Sequence, residues 1–284
     1  MDILFLGGTR YFGKKAVLKL IENGHNVIVA TRGNNKISGV KSIIVERYDN
    51  ESMHKAFADL QFDVVADSLA YSSNDVKIAL DNINCKRYVM TSSAVVYQRK
   101  MNLTESDFNP LDEKLKWCSR NDYPYNETKR QAENALFQCY GGINKAAVRF
   151  PYVIGEDDYT KRIEFYVSHI VRQIPMNVNN LNEQLSFIFS DDAGKFLAFM
   201  CENEYNGAVN GAAFGTASTA EIIGYIEQKS GKKAVLDKNG ETAPYNNDKS
   251  HSINTEIAQR LGFSFSPLKE RLCALIDFYL EQIK

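Results

Sequence analysis

The stretch that decides the fold is Met1–Gly13, MDILFLGGTRYFG. Ile3, Leu4, Phe5 and Leu6 form a continuous apolar run that stops at Gly7-Gly8. A run this short, closed by glycine, predicts a strand buried on both faces. After Gly13 the period changes, and Phe12, Ala16, Val17, Leu20 and Ile21 recur at helical spacing. The stretch therefore reads as strand, tight glycine turn, helix. A helix start carries unpaired backbone N–H groups and a partial positive charge, so a dinucleotide pyrophosphate can sit there. Glycines let the phosphates approach the backbone. Gly7 and Gly13 are the outer glycines of a G-x-x-G-x-x-G pattern, with Arg10 at its middle position. Taken alone, the turn also fits an ordinary strand-to-helix connection.

Outward from this turn, the whole chain sets the bounds. Its 284 residues are enough for one large domain or two closely joined lobes. The net charge of −1 gives no bulk basic surface for nucleic acid. No apolar run is long enough to span a bilayer, and the N-terminus enters its strand at once, so a cytoplasmic protein is expected. The five cysteines are scattered with no metal-ligand spacing, and the four histidines form no cluster, so no metal site is expected.

Further strands are predicted at 26–30, 41–45, 62–66, 86–90 and 146–149, with helical patterns between them. This alternation implies a doubly wound parallel sheet. The second strand ends at Thr31-Arg32 rather than at the acidic residue that accepts from a ribose hydroxyl. A guanidinium pairs well with a 2′-phosphate, and Arg10 is a second cation near the same pocket. These residues predict NADP, with NAD as the alternative, although each arginine alone also fits a solvated surface charge. Asp49 is a candidate for the adenine edge or for a helix N-cap. Ser68-Leu69-Ala70 lies at the carboxyl end of the fourth strand, where ligands bind in open sheets. Residues 98–124 are polar and irregular, which marks a functional or mobile connection.

Two further features carry chemistry. Ser92-Ser93 closes the fifth strand, and Tyr125-x-x-x-Lys129 follows on a helix, one turn apart on one face. Hydride transfer at a carbinol needs a proton moved at the oxygen. A free tyrosine, with a pKa of about 10, is a poor base at neutral pH. A nearby ammonium favours its phenolate and brings it toward the working pH. A serine hydroxyl can fix the reacting oxygen. Tyr-x-x-x-Lys alone is a common spacing; its order after the glycine turn and the serine strand gives it weight. Ala70, Tyr71, Tyr97, Tyr152, Tyr159 and Arg162 are candidate substrate-lining residues, or core.

With LFLGGTRYFGKKAV, TSSAVVY, YNETKRQAE and RFPYVIGEDDY in place, the chain resembles the extended or atypical short-chain dehydrogenase/reductases, the NAD(P)-dependent epimerase/dehydratase family. The resemblance implies a Rossmann domain over 1–150, rejoined by 187–214, and a smaller C-terminal substrate lobe from 151–186 and 215–284. It implies Ser93, Tyr125 and Lys129 as catalytic residues. It implies a cofactor site of Gly7, Thr9, Arg10, Tyr11, Phe12, Gly13, Arg32, Asp49, Ser68, Leu69, Ala70, Lys129, Pro151, Tyr152 and Val153. The implied activity is oxidoreductase or epimerase chemistry on a carbinol or ketone, of a sugar or nucleotide sugar, and a homodimer through the Tyr125 helix. The residues after Ser93 are Ala94-Val95, not the Asp-Glu pair of 4,6-dehydratases, which disfavours dehydration. Arg10 in the turn resembles a subgroup that includes chloroplast stem-loop-binding proteins. That leaves a non-redox nucleotide binder, either RNA-binding or cofactor-sensing, as the second reading.

Overall fold

The apolar run before the glycine turn becomes the middle of a sheet, and the chain winds outward from it in both directions. The computed structural model describes residues 1–283. The first half runs β1 (Asp2–Leu6), α1 (Tyr11–Glu22), β2 (Asn26–Thr31), β3 (Lys41–Ile44), α2 (Asn50–Phe57), β4 (Gln61–Asp67), α3 (Ser73–Asn82) and β5 (Asn84–Ser93). A strap over 98–124 leads to α4 (Tyr125–Cys139) and β6 (Asn144–Phe150). The chain continues through β7 (Tyr152–Ile154), α5 (Arg162–Arg172), β8 (Met176–Asn177), β9 (Gln184–Leu185), β10 (Phe187–Phe189), α6 (Ser190–Glu202) and β11 (Gly207–Asn210). It closes with β12 (Ala217–Ser218), α7 (Thr219–Ser230), β13 (Glu241–Thr242), α8 (Glu256–Arg260) and α9 (Leu268–Gln282).

Seven strands form one sheet in the order β11-β6-β5-β4-β1-β2-β3, and every pairing in it is parallel. Successive side chains of β1 point to opposite faces. Ile3 and Phe5 pack with Ala16 and Val17 of α1 and with Phe196 and Leu197 of α6. Leu4 and Leu6 pack in the opposite layer, with Val76 of α3 and Ala132, Ala135 and Leu136 of α4. This is the α/β Rossmann arrangement expected from the alternating pattern. The strand order reverses at β1, which neighbours β2 on one side and β4 on the other. The crevice beyond the carboxyl ends of those strands is where such sheets bind ligands.

A third cluster of buried side chains lies off the sheet. Ile154, Tyr166, Phe187, Ile222, Leu272 and Ile276 belong to it, drawn from β7, α5, β10, α7 and α9. Residues of β10 divide between cores: Ile188 joins the sheet core, while Phe187 and Phe189 join the third cluster. Among the described residues no helix is long and apolar enough to cross a membrane.

Two elements differ from the sequence expectation. The glycine- and alanine-rich segment after 206 holds a seventh sheet strand, β11, in parallel register with Ala146–Arg149. The first helix begins at Tyr11, itself a left-handed residue (φ 54°), rather than beyond Gly13.

Candidate active site

The glycine turn works because its backbone is one that other residues resist. Gly7 and Gly8 have φ of 89° and 73°. A Cβ on Gly8 would lie 2.5 Å from the Phe5 ring, and one on Gly13 would lie 3.0 Å from the Gly8 Cα. So α1 starts in direct contact with the turn. No side chain caps its N-terminus, and its first turn has no acidic residue. Its first-turn N–H groups are therefore free for an anion. The turn forms one wall of a cleft of about 370 Å³. Gly7, Thr9, Arg10, Tyr11, Phe12, Gly13, Arg32, Ser68 and Leu69 all line it.

Asp49 and Ala70 do not line this cleft. Asp49 caps α2, accepting from the Ser52 N–H at 2.6 Å, so its carboxylate is committed to the helix. Ala70 is fully buried and contributes its carbonyl, which accepts from Lys129 Nζ at 2.7 Å. Arg10 stands with its guanidinium 5.2 Å from the Tyr159 ring centre. Arg32 is exposed and has no hydrogen-bond partner among the described residues.

A second cavity of about 470 Å³ adjoins the first. Ser93, Tyr125 and Lys129 line it, as do Pro151, Tyr152 and Val153. Tyr11, Phe12, Ser68, Tyr71 and Tyr159 face both spaces, so the two are continuous. Each member of the set is placed by a different element: Ser93 ends β5, Tyr125 opens α4, and Lys129 lies one turn on. Lys129 is buried and donates to the carbonyls of Ala70 and Thr91, at 2.7 and 2.9 Å. An ammonium has three N–H groups, which leaves one for a ligand. Desolvation pulls its pKa down to about 8, with Asp67 and Asp75 acting the other way. Half of Tyr125 is exposed, yet desolvation first, then Tyr71, push its hydroxyl up to about 12; Ser93 opposes the rise by hydrogen bonding. The unliganded side chain is thus a phenol at neutral pH, ready to donate a proton.

The rigid frame beneath this set comes from charged residues far apart in sequence. Glu133 of α4 and Arg149 of β6 are a fully buried ion pair. Ser92 donates to the same carboxylate. Arg149 also donates to the Tyr97 hydroxyl at 2.9 Å and to the strap carbonyls of Glu105 and Phe108, both at 3.0 Å. Tyr97 is therefore core, not substrate lining; its hydroxyl donates to Asn210 at 2.6 Å. Tyr71, Tyr152, Tyr159 and Arg162 do line the second cavity. Sequence reasoning did not find Arg99, His251 or Arg120 at these spaces, because each sits in a polar stretch without periodicity.

The profile of the NAD dependent epimerase/dehydratase family matches residues 3–214. The chain belongs to that family. It is similar to a chloroplast stem-loop binding protein of 41 kDa from Arabidopsis thaliana, 24% identical over 65% of this chain and 50% of that protein. It is also similar to a UDP-glucose 4-epimerase from Lactobacillus helveticus, 27% identical over 55% of this chain and 52% of the relative. The chain spans about half the length of the curated relatives it matches. Among solved structures, the Thermotoga maritima UDP-glucose 4-epimerase with UDP-glucose superposes with a TM-score of 0.76. It is 18% identical, with 100% of both chains covered. The Thermus thermophilus UDP-glucose 4-epimerase complex with NAD gives 0.72 at 16% identity, covering 98% of this chain and 99% of that one. At such identities the likeness is one of fold.

Proposed function

We propose that this family member is an NAD(P)-dependent oxidoreductase or epimerase acting on a carbinol or ketone of a sugar or nucleotide sugar. The observation that carries this reading is that Ser93, Tyr125 and Lys129 line one cavity continuous with the glycine-turn cleft. The residues fit a dinucleotide. The uncapped start of α1 would hold its pyrophosphate, and Lys129's remaining N–H would meet a ribose hydroxyl. Such a cofactor supplies the hydride acceptor or donor. Tyr125 gives its phenolic proton to a substrate oxygen in the reducing direction and takes it back in the oxidising one. Ser93 orients that oxygen, and its hydrogen bond, with the Arg162 charge, draws the Tyr125 hydroxyl back toward the phenolate. Thr31 and the unpaired Arg32 support NADP over NAD. The apolar cluster formed by residues of 151–186 and 215–284, together with Phe187, Phe189 and Ala213, would be the substrate lobe over this site. UDP-glucose, which stands in the names of three of the similar proteins, heads the substrate candidates.

Replacing Tyr125 with Phe tests the assignment. NADPH binding followed by fluorescence should persist within about threefold, while turnover on a nucleotide-sugar panel should fall by on the order of 100-fold or more. Turnover at the wild-type rate would remove Tyr125 from the mechanism.

A further inference from the structure

The strap over 98–124 brings one cation to the cofactor cleft that nothing about the glycine turn requires. Arg120 lies between two tyrosine rings, 4.3 Å from the Tyr48 centre and 4.0 Å from the Tyr71 centre. Its Nη2 donates to the Leu69 carbonyl at 2.9 Å. The same carbonyl accepts from Arg47 Nε at 3.3 Å. Two guanidiniums thus meet at one oxygen, at the end of the cleft lined by Thr31, Arg32 and Tyr48. Arg47 is only 4% exposed, and its Nη1 has no hydrogen-bond partner. Its Nη2 pairs with Asp67, and Arg120 meets Asp75 at a loose 3.4 Å. Glu46 also lines the space, so the cluster is not purely cationic. Even so, Arg47 and Arg32 each push the Arg120 guanidinium toward losing its proton, after desolvation has done most of that. A buried donor without an acceptor is costly unless a ligand meets it. A phosphomonoester dianion offers the oxygens these forks match.

We propose that Arg47 and the strap residue Arg120 form, with Arg32, a recognition site for a phosphate on the adenosine half of the dinucleotide. This rests on the dinucleotide reading above and names the residues that would set its preference. The 2′-phosphate of NADP is the ligand group of the right class. The strap then belongs to the cofactor site through Arg120.

Titration of the full chain with NADPH, NADH and 2′,5′-ADP, against wild type, Arg120→Gln and Arg120→Lys, tests this. Arg120→Gln should weaken NADPH and 2′,5′-ADP by on the order of tenfold or more, with NADH changed by less than about twofold. Arg120→Lys, which keeps the charge but loses the planar fork, should fall between. Melting curves of each variant separate loss of the site from loss of the fold. Equal losses for NADPH and NADH would reduce Arg120 to a structural tie and overturn the proposal. Tighter binding of both would make it an obstruction and overturn it too. A wild type that binds both dinucleotides equally overturns this inference and leaves the dinucleotide reading standing. A wild type that binds neither overturns that reading itself.

Discussion

Lys129 has two duties that pull against each other. Its ammonium ties the end of β5 to the segment after β4 through two carbonyls, yet it is almost wholly buried. Its pKa falls from 10.5 to about 8 on folding. Between those values the unfolded chain holds the proton and the folded chain does not, so unfolding takes up a proton and stability rises with pH. Below about pH 8 both states are charged and the full desolvation penalty is present. The stability of wild type minus that of Lys129→Met should therefore climb from about pH 8 toward 10.5, read by urea denaturation at several pH values. A flat difference would mean that the ammonium is better solvated than the two-carbonyl anchorage implies. Glu133 poses the opposite case. Its carboxylate neutralises the fully buried Arg149, and Glu133→Gln leaves that charge uncompensated. A loss of about 3 kcal/mol or more is expected in the same denaturation measurement. A change under about 1 kcal/mol would show that the strap carbonyls suffice for Arg149.

Among the elements, the strand–turn–helix start is the most sensitive. Gly8→Ala forces a left-handed backbone on alanine and drives its Cβ into the Phe5 ring. The left-handed conformation alone costs about 1–2 kcal/mol. The variant should lose that much stability in denaturation and bind NADPH measurably more weakly, since α1 then no longer starts against the turn; unchanged binding would detach the turn from the cofactor. This element was legible because its apolar run, glycines and helical period are local in sequence. The catalytic set was legible for the same reason: Ser93, Tyr125 and Lys129 follow in order on successive elements. What stayed hidden depended on distant partners. β11 reads as glycine and alanine, and only pairing with β6 makes it a strand. Arg47, Asp67 and Tyr88 form one buried network, with Tyr88 and Arg47 both donating to Asp67, but nothing in their separate stretches links them. Asp49 reads equally as a ligand contact or a cap, and the cap is what the fold uses.

Across the whole molecule, the strap decides which surfaces are open. Its backbone accepts from Gln138 at Pro110 and Glu113, donates to Gln131 from Lys116, and bonds Ser73 of α3 at Lys116 and Cys118. Every α4 side chain from Gln131 to Leu136 is buried within the one chain. A homodimer through the middle of this helix would require the strap to move aside. Any two-chain mass seen by light scattering after size exclusion, twice the single-chain 32.1 kDa, should therefore survive substitutions in the middle of α4. A stable two-chain mass lost on mutation of α4 would show that the strap yields.

The sheet's outermost strand has a consequence for how the protein is made. β11 covers the free edge of β6, but residues 151–206 are synthesised between the two. Until Gly207–Asn210 leaves the ribosome, β6 presents a row of unpaired backbone groups. An open edge of that kind is a template for pairing with other chains. A nascent chain stalled before residue 207 should be a substrate for chaperones, whereas one stalled a ribosome tunnel's length beyond 210 has its edge closed.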